Sequence, residues 1–434
     1  MTHVIAHHPL HKSNSHFASP KGKHFGERAE SHFRWTRARI DSGYWPYARW
    51  LESSPLPSAA IASIEGVARQ GINLAIQDYL GLSTHDQICE AAIKVTRDFG
   101  VHSAGSAMLL GNNPLSRKLE GMIAALTHMD HVLLFPTGWA AGFGVVKGLV
   151  RDYDHIVLDR LSHACLQEGA AAATRNLHRY THLDVAEAAR MITEIRANDS
   201  SNAILVIAEG LYSMDSDSPD IPGLQEVCTE FNATLLVDVA HDLGSSGDNG
   251  TGQLGLQNML GKVDIVMGSF SKAFASNGGF IATNDERIKT YLRWFANPHI
   301  FSNALSPVQC AVVCEAIEIV MSREGEERRE SLQRLAKGFR DALRDKGMTV
   351  LGAPSAIVPV LIGRESFARV AARAVSTSGT FTNLVEFPAV PLGGARFRCQ
   401  LMATHSELDL AQAAKDISGA ITIASRSEPV CEPA

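Results

Sequence analysis

The chain has 434 residues, 45% of them hydrophobic and 20% charged, with a mean hydropathy of −0.02. That is the make-up of a globular protein with room for one large α/β domain and a smaller one. Forty basic against 46 acidic residues give a formal net charge of −6 and a pI near 6.3, which argues against broad electrostatic binding to nucleic acid or to an anionic membrane. The seven cysteines include no Cys-x-x-Cys and make no disulfide framework. No apolar run is long enough to span a bilayer, and no secretory apolar stretch follows Met1. The expectation is a cytoplasmic protein with no integral membrane segment.

Residues 1–40 differ from the rest. They hold seven of the 18 histidines (His3, His7, His8, His11, His16, His24 and His32), seven Lys/Arg and two acids. The irregular spacing lacks the pattern of a metal site, so the expectation is a disordered arm, with order beginning near Arg34 where Trp35, Trp45, Tyr47 and Trp50 offer apolar surface. Residues 41–84 read as an N-terminal segment that packs on a small C-terminal domain. From there to residue 305 short apolar runs alternate with helical stretches. Candidate strands are His131–Phe135, His155–Leu158, Ile204–Ala208, Thr234–Val237, Asp264–Gly268 and Gly279–Ala282, with helical periodicity at Val185–Ala197 and Gly223–Phe231. This alternation predicts a large domain built on a mostly parallel sheet covered on both faces. Residues 306–424 form the predicted small α+β domain: helices over Pro307–Met321 and Glu324–Lys346, then strands over Ile357–Ile362 and Ala395–Met402. Residues 425–434 are a tail.

The most informative position is Lys272, the only charged residue between Asp264 and Asp285, set among Ser, Ala, Phe and Gly after an apolar strand. Burying an ammonium costs several kcal/mol or forces neutralisation, and a neutral lysine amine is what attack on a carbonyl requires. A lysine that snorkels from a loop to water is the alternative. Asp238 ends the run Thr234-Leu-Leu-Val, at the strand end where open α/β sheets bind ligands. It reads either as a helix N-cap or as the acid that pairs with a pyridinium nitrogen, as pyridoxal-phosphate enzymes require beside their lysine. Thr137-Gly138-Trp139-Ala-Ala-Gly142 follows a strand and opens a helix, so its N–H groups can meet a phosphate, with Ser269 adding a hydroxyl. His163 follows another strand, where its ring can stack on a flat cofactor. Gly250-Thr-Gly252-Gln-Leu-Gly255 follows a polar loop rather than a strand and lacks the setting of a dinucleotide site. Cys310 and Cys314, four apart on a helix, read as core rather than metal ligands.

Asp78-Tyr-Leu-Gly, Asp159-Arg-Leu-Ser-His163, Glu209-Gly-Leu-Tyr-Ser213-Met-Asp, Asp238-Val-Ala-His241 and Ser269-Phe-Ser-Lys272-Ala-Phe resemble the corresponding segments of the α-oxoamine synthases. The likeness runs from about Gly43 to Asp416. It implies a fold type I transferase and a homodimer with shared active sites. It also implies condensation of an amino acid with an acyl-CoA, or with an acyl carrier protein thioester, to an α-amino ketone, usually with loss of the carboxylate. The resemblance assigns Lys272 to the cofactor aldehyde and to α-proton removal, Asp238 to the pyridine nitrogen and His163 to the ring face. Ser213 and His241 would bind the ring hydroxyl, with His241 also steadying the thioester carbonyl. Gly138, Trp139 and Ser269 would hold the phosphate, joined by Ser302 from a partner subunit. Arg398 would grip the amino-acid carboxylate, with Arg396 on the same strand face able to exchange roles with it.

Departures from the family pattern are Gln77, Ala107, Ser116 and Phe387. Glu386 stands where the oxononanoate-forming members carry arginine, which predicts a neutral or cationic acyl tail. Other reactions on the same scaffold, aminotransfer or aldolase-type cleavage, and a non-catalytic regulatory role are the competing readings.

Overall fold

The computed structural model describes residues 9–427, and these divide into two compact units, 77–213 with 217–330, and 9–76 with 214–216 and 331–427. The expected boundary at residue 305 therefore moves to 330. The cause is helix Pro307–Val320, which carries too many buried residues (Pro307, Cys310, Ala311, Val313, Cys314, Ala316, Ile317, Ile319 and Val320) to be a surface connector, and which packs against helices Asp86–Phe99 and Pro114–Thr127 of the larger unit.

The larger unit is built on a seven-stranded sheet whose spatial order is 131–135, 279–283, 265–269, 234–238, 204–209, 155–159 and 177–180. Strand Gly279–Thr283 runs antiparallel to both neighbours, and the pairs from 265–269 outward to 177–180 are parallel. All six predicted strands are present. The seventh, Leu177–Tyr180, escapes the sequence pattern because Leu-His-Arg-Tyr is an edge strand without an apolar run. Strands Ile204–Glu209 and Ile265–Ser269 are buried along their whole length, as expected where helices cover both faces. Helix Gly138–Leu149 approaches its neighbours closely through small residues: a Cβ at Gly142 would lie 2.5 Å from Cys165 Sγ.

The smaller unit holds the antiparallel pair Ser58–Ala62 and Ala68–Asn73, extended in parallel by Thr380–Phe381. A second sheet joins Ile357–Gly363, Ala395–Gln400 and Asn383–Val385, all antiparallel. Helices Phe25–Asp41, Glu365–Thr377 and Glu407–Ser427 complete it.

The arm is a correction. Residues 14–17 form a 3₁₀ turn and Phe25–Asp41 an α-helix whose N-terminus is capped by His24, Nδ1 accepting from Gly26 N at 3.1 Å. Trp35 is 1% exposed and donates from Nε1 to the His11 carbonyl at 2.8 Å. A few buried residues on one helix face (Trp35, Arg39 and Ile40) order a segment whose composition is otherwise polar. His3, His7 and His8, and the tail beyond residue 427, lie outside the described residues. No helix among the described residues is long and apolar enough to cross a membrane.

Candidate active site

In a parallel sheet the carboxyl ends of the strands share one edge, and here that edge gathers the chemistry. Strand register sets Glu209 opposite Asp238 and Gly279 opposite both Ser269 and Phe135, so the ends of five neighbouring strands share the edge at which helix Gly138–Leu149 begins.

Lys272 sits three residues beyond strand Ile265–Ser269 in a tight turn closed by hydrogen bonds from Phe270 N to the Gly278 carbonyl (3.0 Å) and from Ser276 N to the Phe270 carbonyl (3.1 Å). Phe270 and Phe274 are both buried, their rings edge to face at 6.1 Å, and they anchor the turn so that the half-buried lysine between them is held on a rigid mount.

Asp238 ends its strand as predicted, buried, with Oδ1 accepting from Ala240 N at 2.9 Å. Burial pushes its carboxyl above the usual range, and the charges of Lys272 and His163 oppose that rise. Two acids join it. Glu209 is raised by burial and by the neighbouring Asp238 charge while accepting from His163 N at 2.5 Å. Asp242, accepting from Gln253 N at 2.7 Å, is pushed up by burial to about 8. Three buried carboxyls so close together need more positive charge than the chain's own lysine supplies, and a protonated pyridine ring answers that need.

His163 caps helix Ala164–Ala173: Nδ1 accepts from Cys165 N at 3.3 Å, and the residue is exposed. Its loop is fastened by Asp159, which accepts from Leu161 N (2.8 Å) and Leu183 N (2.9 Å) and pairs with His182. His182 spans Asp159 and Asp217 through its two ring nitrogens. Burial alone would lower its pKa, but these hydrogen bonds outweigh burial and push it up to about 10.

The anion cradle is built from absent side chains. A Cβ at Gly138 would come within 2.5 Å of the Ser269 Cβ and Oγ, and one at Gly279 within 2.7 Å of the Gly138 Cα. Only glycines let strand, helix start and Ser269 hydroxyl converge this closely. Thr137 caps the helix through a 3.0 Å bond from Ala140 N, leaving the first N–H groups pointing outward. The residues present thus fit a phosphorylated pyridine aldehyde: amine, acid, ring partner and cradle along one edge.

His241 is buried, its Nδ1 2.9 Å from the Tyr79 hydroxyl. Ser213 is half-buried on the loop after Glu209, beside Tyr212, whose N–H donates to the Asp217 carbonyl at 2.9 Å. Tyr79 and Glu209 were given no role by the sequence, although both lie inside the segments quoted above, and Glu209 carries the same signal as Asp238: an acid closing an apolar run. The segment that carries Ser302 is tied to residues 105–106, through Ala304 N to the Gly105 carbonyl at 2.8 Å and a bridge between Ser106 and Asn303. Ser116, where the family carries histidine, is consumed by the helix cap it forms with Asn113.

In the smaller unit the arginine pair separates. Arg396 is closed by an ion pair with Asp215 and a 3.1 Å bond to the Met214 carbonyl. Arg398 keeps Nε and Nη2 buried with no hydrogen-bond partner among the described residues, the state of a fork that awaits a carboxylate. Glu386 is a correction. Its carboxylate is taken by Arg369 Nε (2.6 Å), Tyr47 Oη (2.6 Å) and Arg39 Nη2 (3.3 Å), so its charge is already matched inside the unit, and the premise that it repels an anionic tail is lost.

The model for aminotransferase class I and II matches residues 69–417. The chain is 34% identical over 350 residues to the 8-amino-7-oxononanoate synthase of Geotalea daltonii, covering 81% of this chain and 88% of that one. It is 35% identical over 352 residues to the enzyme of the same name from Salmonella paratyphi B, covering 81% and 90%. Among solved structures, the serine palmitoyltransferase of Sphingomonas wittichii superposes with a TM-score of 0.85 at 26% identity, over 92% of this chain and 98% of that chain. A further serine palmitoyltransferase, in a structure with PLP, gives a TM-score of 0.86 at 26% identity over 93% and 100%.

Proposed function

Because this chain belongs to the pyridoxal-phosphate-dependent α-oxoamine synthases of aminotransferase class I and II, we propose that Lys272, Asp238, His163 and the Gly138–Ser269 cradle serve its reaction, the condensation of an amino acid with an acyl thioester to an α-amino ketone. The observation that carries this reading is the excess of buried acid around one lysine at the sheet edge. When bound, pyridoxal phosphate supplies an electron sink that stabilises negative charge on the substrate α-carbon.

Asp238 holds a proton at the pyridine nitrogen, and Glu209 stiffens the site by fixing the His163 backbone. His163 lays its ring on the cofactor face. Gly138, Trp139 and Ser269 hold the phosphate, and Ser213 lies where a ring hydroxyl would be bound. Arg398 takes the amino-acid carboxylate in its open fork. Lys272 accepts the α-proton, the α-carbon bonds to the acyl carbon, and the thiolate departs. His241, oriented by Tyr79, steadies the acyl carbonyl as it gains charge. Where the carboxylate is lost as carbon dioxide, the electron pair it leaves on the α-carbon takes a proton back from Lys272.

The acyl carrier is CoA or a carrier protein, and the protein acts as a cytoplasmic homodimer. Leu109 (84% exposed), Leu110 (89%) and Phe301 (81%) form apolar surface on segments bridged to each other, which supports the dimer and a Ser302 hydroxyl delivered across it. The test is release of free thiol from palmitoyl-CoA or a shorter acyl-CoA in the presence of glycine, alanine or serine. Thiol release that needs one amino acid is the expected result. A keto acid or an aldehyde formed with no thiol released would replace this reading by aminotransfer or aldolase-type cleavage.

A further inference from the structure

Away from every residue assigned above to cofactor or substrate, the smaller unit contains a cavity of about 370 Å³, within the size range of small-ligand sites. Its walls are the end of helix Phe25–Asp41, the loop after it, the 58–73 strand pair and helix Glu365–Thr377. Three rings face it, Tyr44, Trp45 and Phe381, together with the aliphatic side chains of Ile61 and Val67.

The polar lining is one-sided: four guanidinium groups against the single carboxylate of Glu65. Their commitments differ. Arg369 is spent on Glu386 and on the carbonyls of Leu10 and Lys12. Arg49 gives Nη2 to the Thr382 carbonyl at 2.6 Å and lies 5.7 Å from the Phe381 ring centroid. Arg373 stacks 5.2 Å from the Tyr44 ring centroid and gives Nη1 to the Ser42 carbonyl at 3.2 Å. Arg69, beside Ile61 in the strand pair, forms no ion pair among the described residues, and neither does Arg373. Two guanidinium groups without an ion pair, beside aromatic side chains, make a chemically specific combination: guanidinium recognises carboxylate in its plane, while rings accept a flat apolar body.

We propose that this cavity binds a small organic anion, an aryl or branched-alkyl carboxylate, through Arg69 and Arg373. The inference stands on the cavity alone and does not depend on the reaction proposed above.

The experiment is a calorimetric titration of the holoenzyme with 2-naphthoate, with the branched 2-propylpentanoate, and with the uncharged 2-naphthamide. One naphthoate per chain is expected, with the amide at least about tenfold weaker, as the loss of a charge-assisted contact implies. Arg69 and Arg373 are both exposed, so Arg69→Glu/Arg373→Glu should fold and weaken naphthoate by at least about tenfold. If that variant fails to fold, Glu65→Lys serves in its place and should tighten binding. The proposal is overturned if neither acid binds saturably or if acid and amide bind alike. It also fails if the reversed charges leave affinity unchanged, if Glu65→Lys does not tighten binding, or if binding is lost in Arg398→Ala, which would place the ligand at the substrate arginine.

Discussion

Two groups of buried charge in this protein have opposite fates. In the smaller unit Glu386 is surrounded by Arg39, Arg369 and Tyr47, with Trp35 stacked 4.9 Å from the Arg39 guanidinium and 5.5 Å from that of Arg369. The two guanidinium groups share that one carboxylate, and the cluster ties helix Phe25–Asp41 to helix Glu365–Thr377. In the larger unit Asp238, Glu209 and Asp242 are equally buried, yet burial drives all three carboxyls upward because positive charge is short. A closed cluster is architecture, whereas an open one stores a demand that a ligand can meet. The same contrast repeats on one strand, where Arg396 is closed and Arg398 is open.

The largest expected effect breaks the open cluster. Lys272→Ala should lower turnover by on the order of 10⁴-fold and remove the visible absorbance of lysine-bound cofactor, while leaving the melting temperature of the apo protein almost unchanged. Next, Glu386→Ala leaves Arg39 and Arg369 facing each other without an anion. It should cost about 3–5 kcal/mol of stability in urea denaturation. Asp238→Asn is the mirror image: the apo protein keeps or gains stability, and turnover falls by about 10²–10³-fold.

The arginine pair gives a smaller and sharper separation. Arg398→Ala should raise the amino-acid KM by about 10–100-fold with little change in melting temperature, and Arg396→Ala should do the reverse. If both variants change only stability, Arg398 is not the carboxylate fork.

The smallest effect is a pH slope. Burial raises Asp242 to about 8, so between the ordinary carboxylate range and that value the folded chain holds a proton that the unfolded chain has lost. Its contribution to stability is therefore greatest at low pH, declines as pH rises toward 8 and levels off above. Asp242→Asn keeps an acceptor for Gln253 N and removes the slope. Relative to wild type it should gain about 2 kcal/mol between pH 6.5 and pH 8.5, at about 1.4 kcal/mol for each pH unit below 8; an equal deficit at both pH values would mean the carboxylate is needed for packing.

Much of this contrast was legible in the sequence, and the reasons are physical. Lys272 and Asp238 stand out because each is a lone charge at the end of an apolar run, and their strands are apolar enough to be found by pattern alone. Gly138 is legible as a helix start after a strand, though not the 2.5 Å clearance from Ser269 that makes glycine obligatory there. Glu386 was misjudged because a sequence shows which residue replaces an arginine but not what surrounds it. Its partners Arg39 and Tyr47 lie more than 300 positions away. The helix at Phe25–Asp41 was hidden for a related reason: its order comes from one buried face and from Arg369, which lies far along the chain, not from local composition.

On the proposed function, the open cluster around Lys272 binds pyridoxal phosphate and presents it to an amino acid. The direct measurement is the visible absorption spectrum of the reconstituted protein, titrated with a panel of small amino acids, beside the same titration of Lys272→Ala. The expected result is a band that depends on Lys272 and shifts with one amino acid but not with others. A wild-type protein that shows no such band after reconstitution would contradict it.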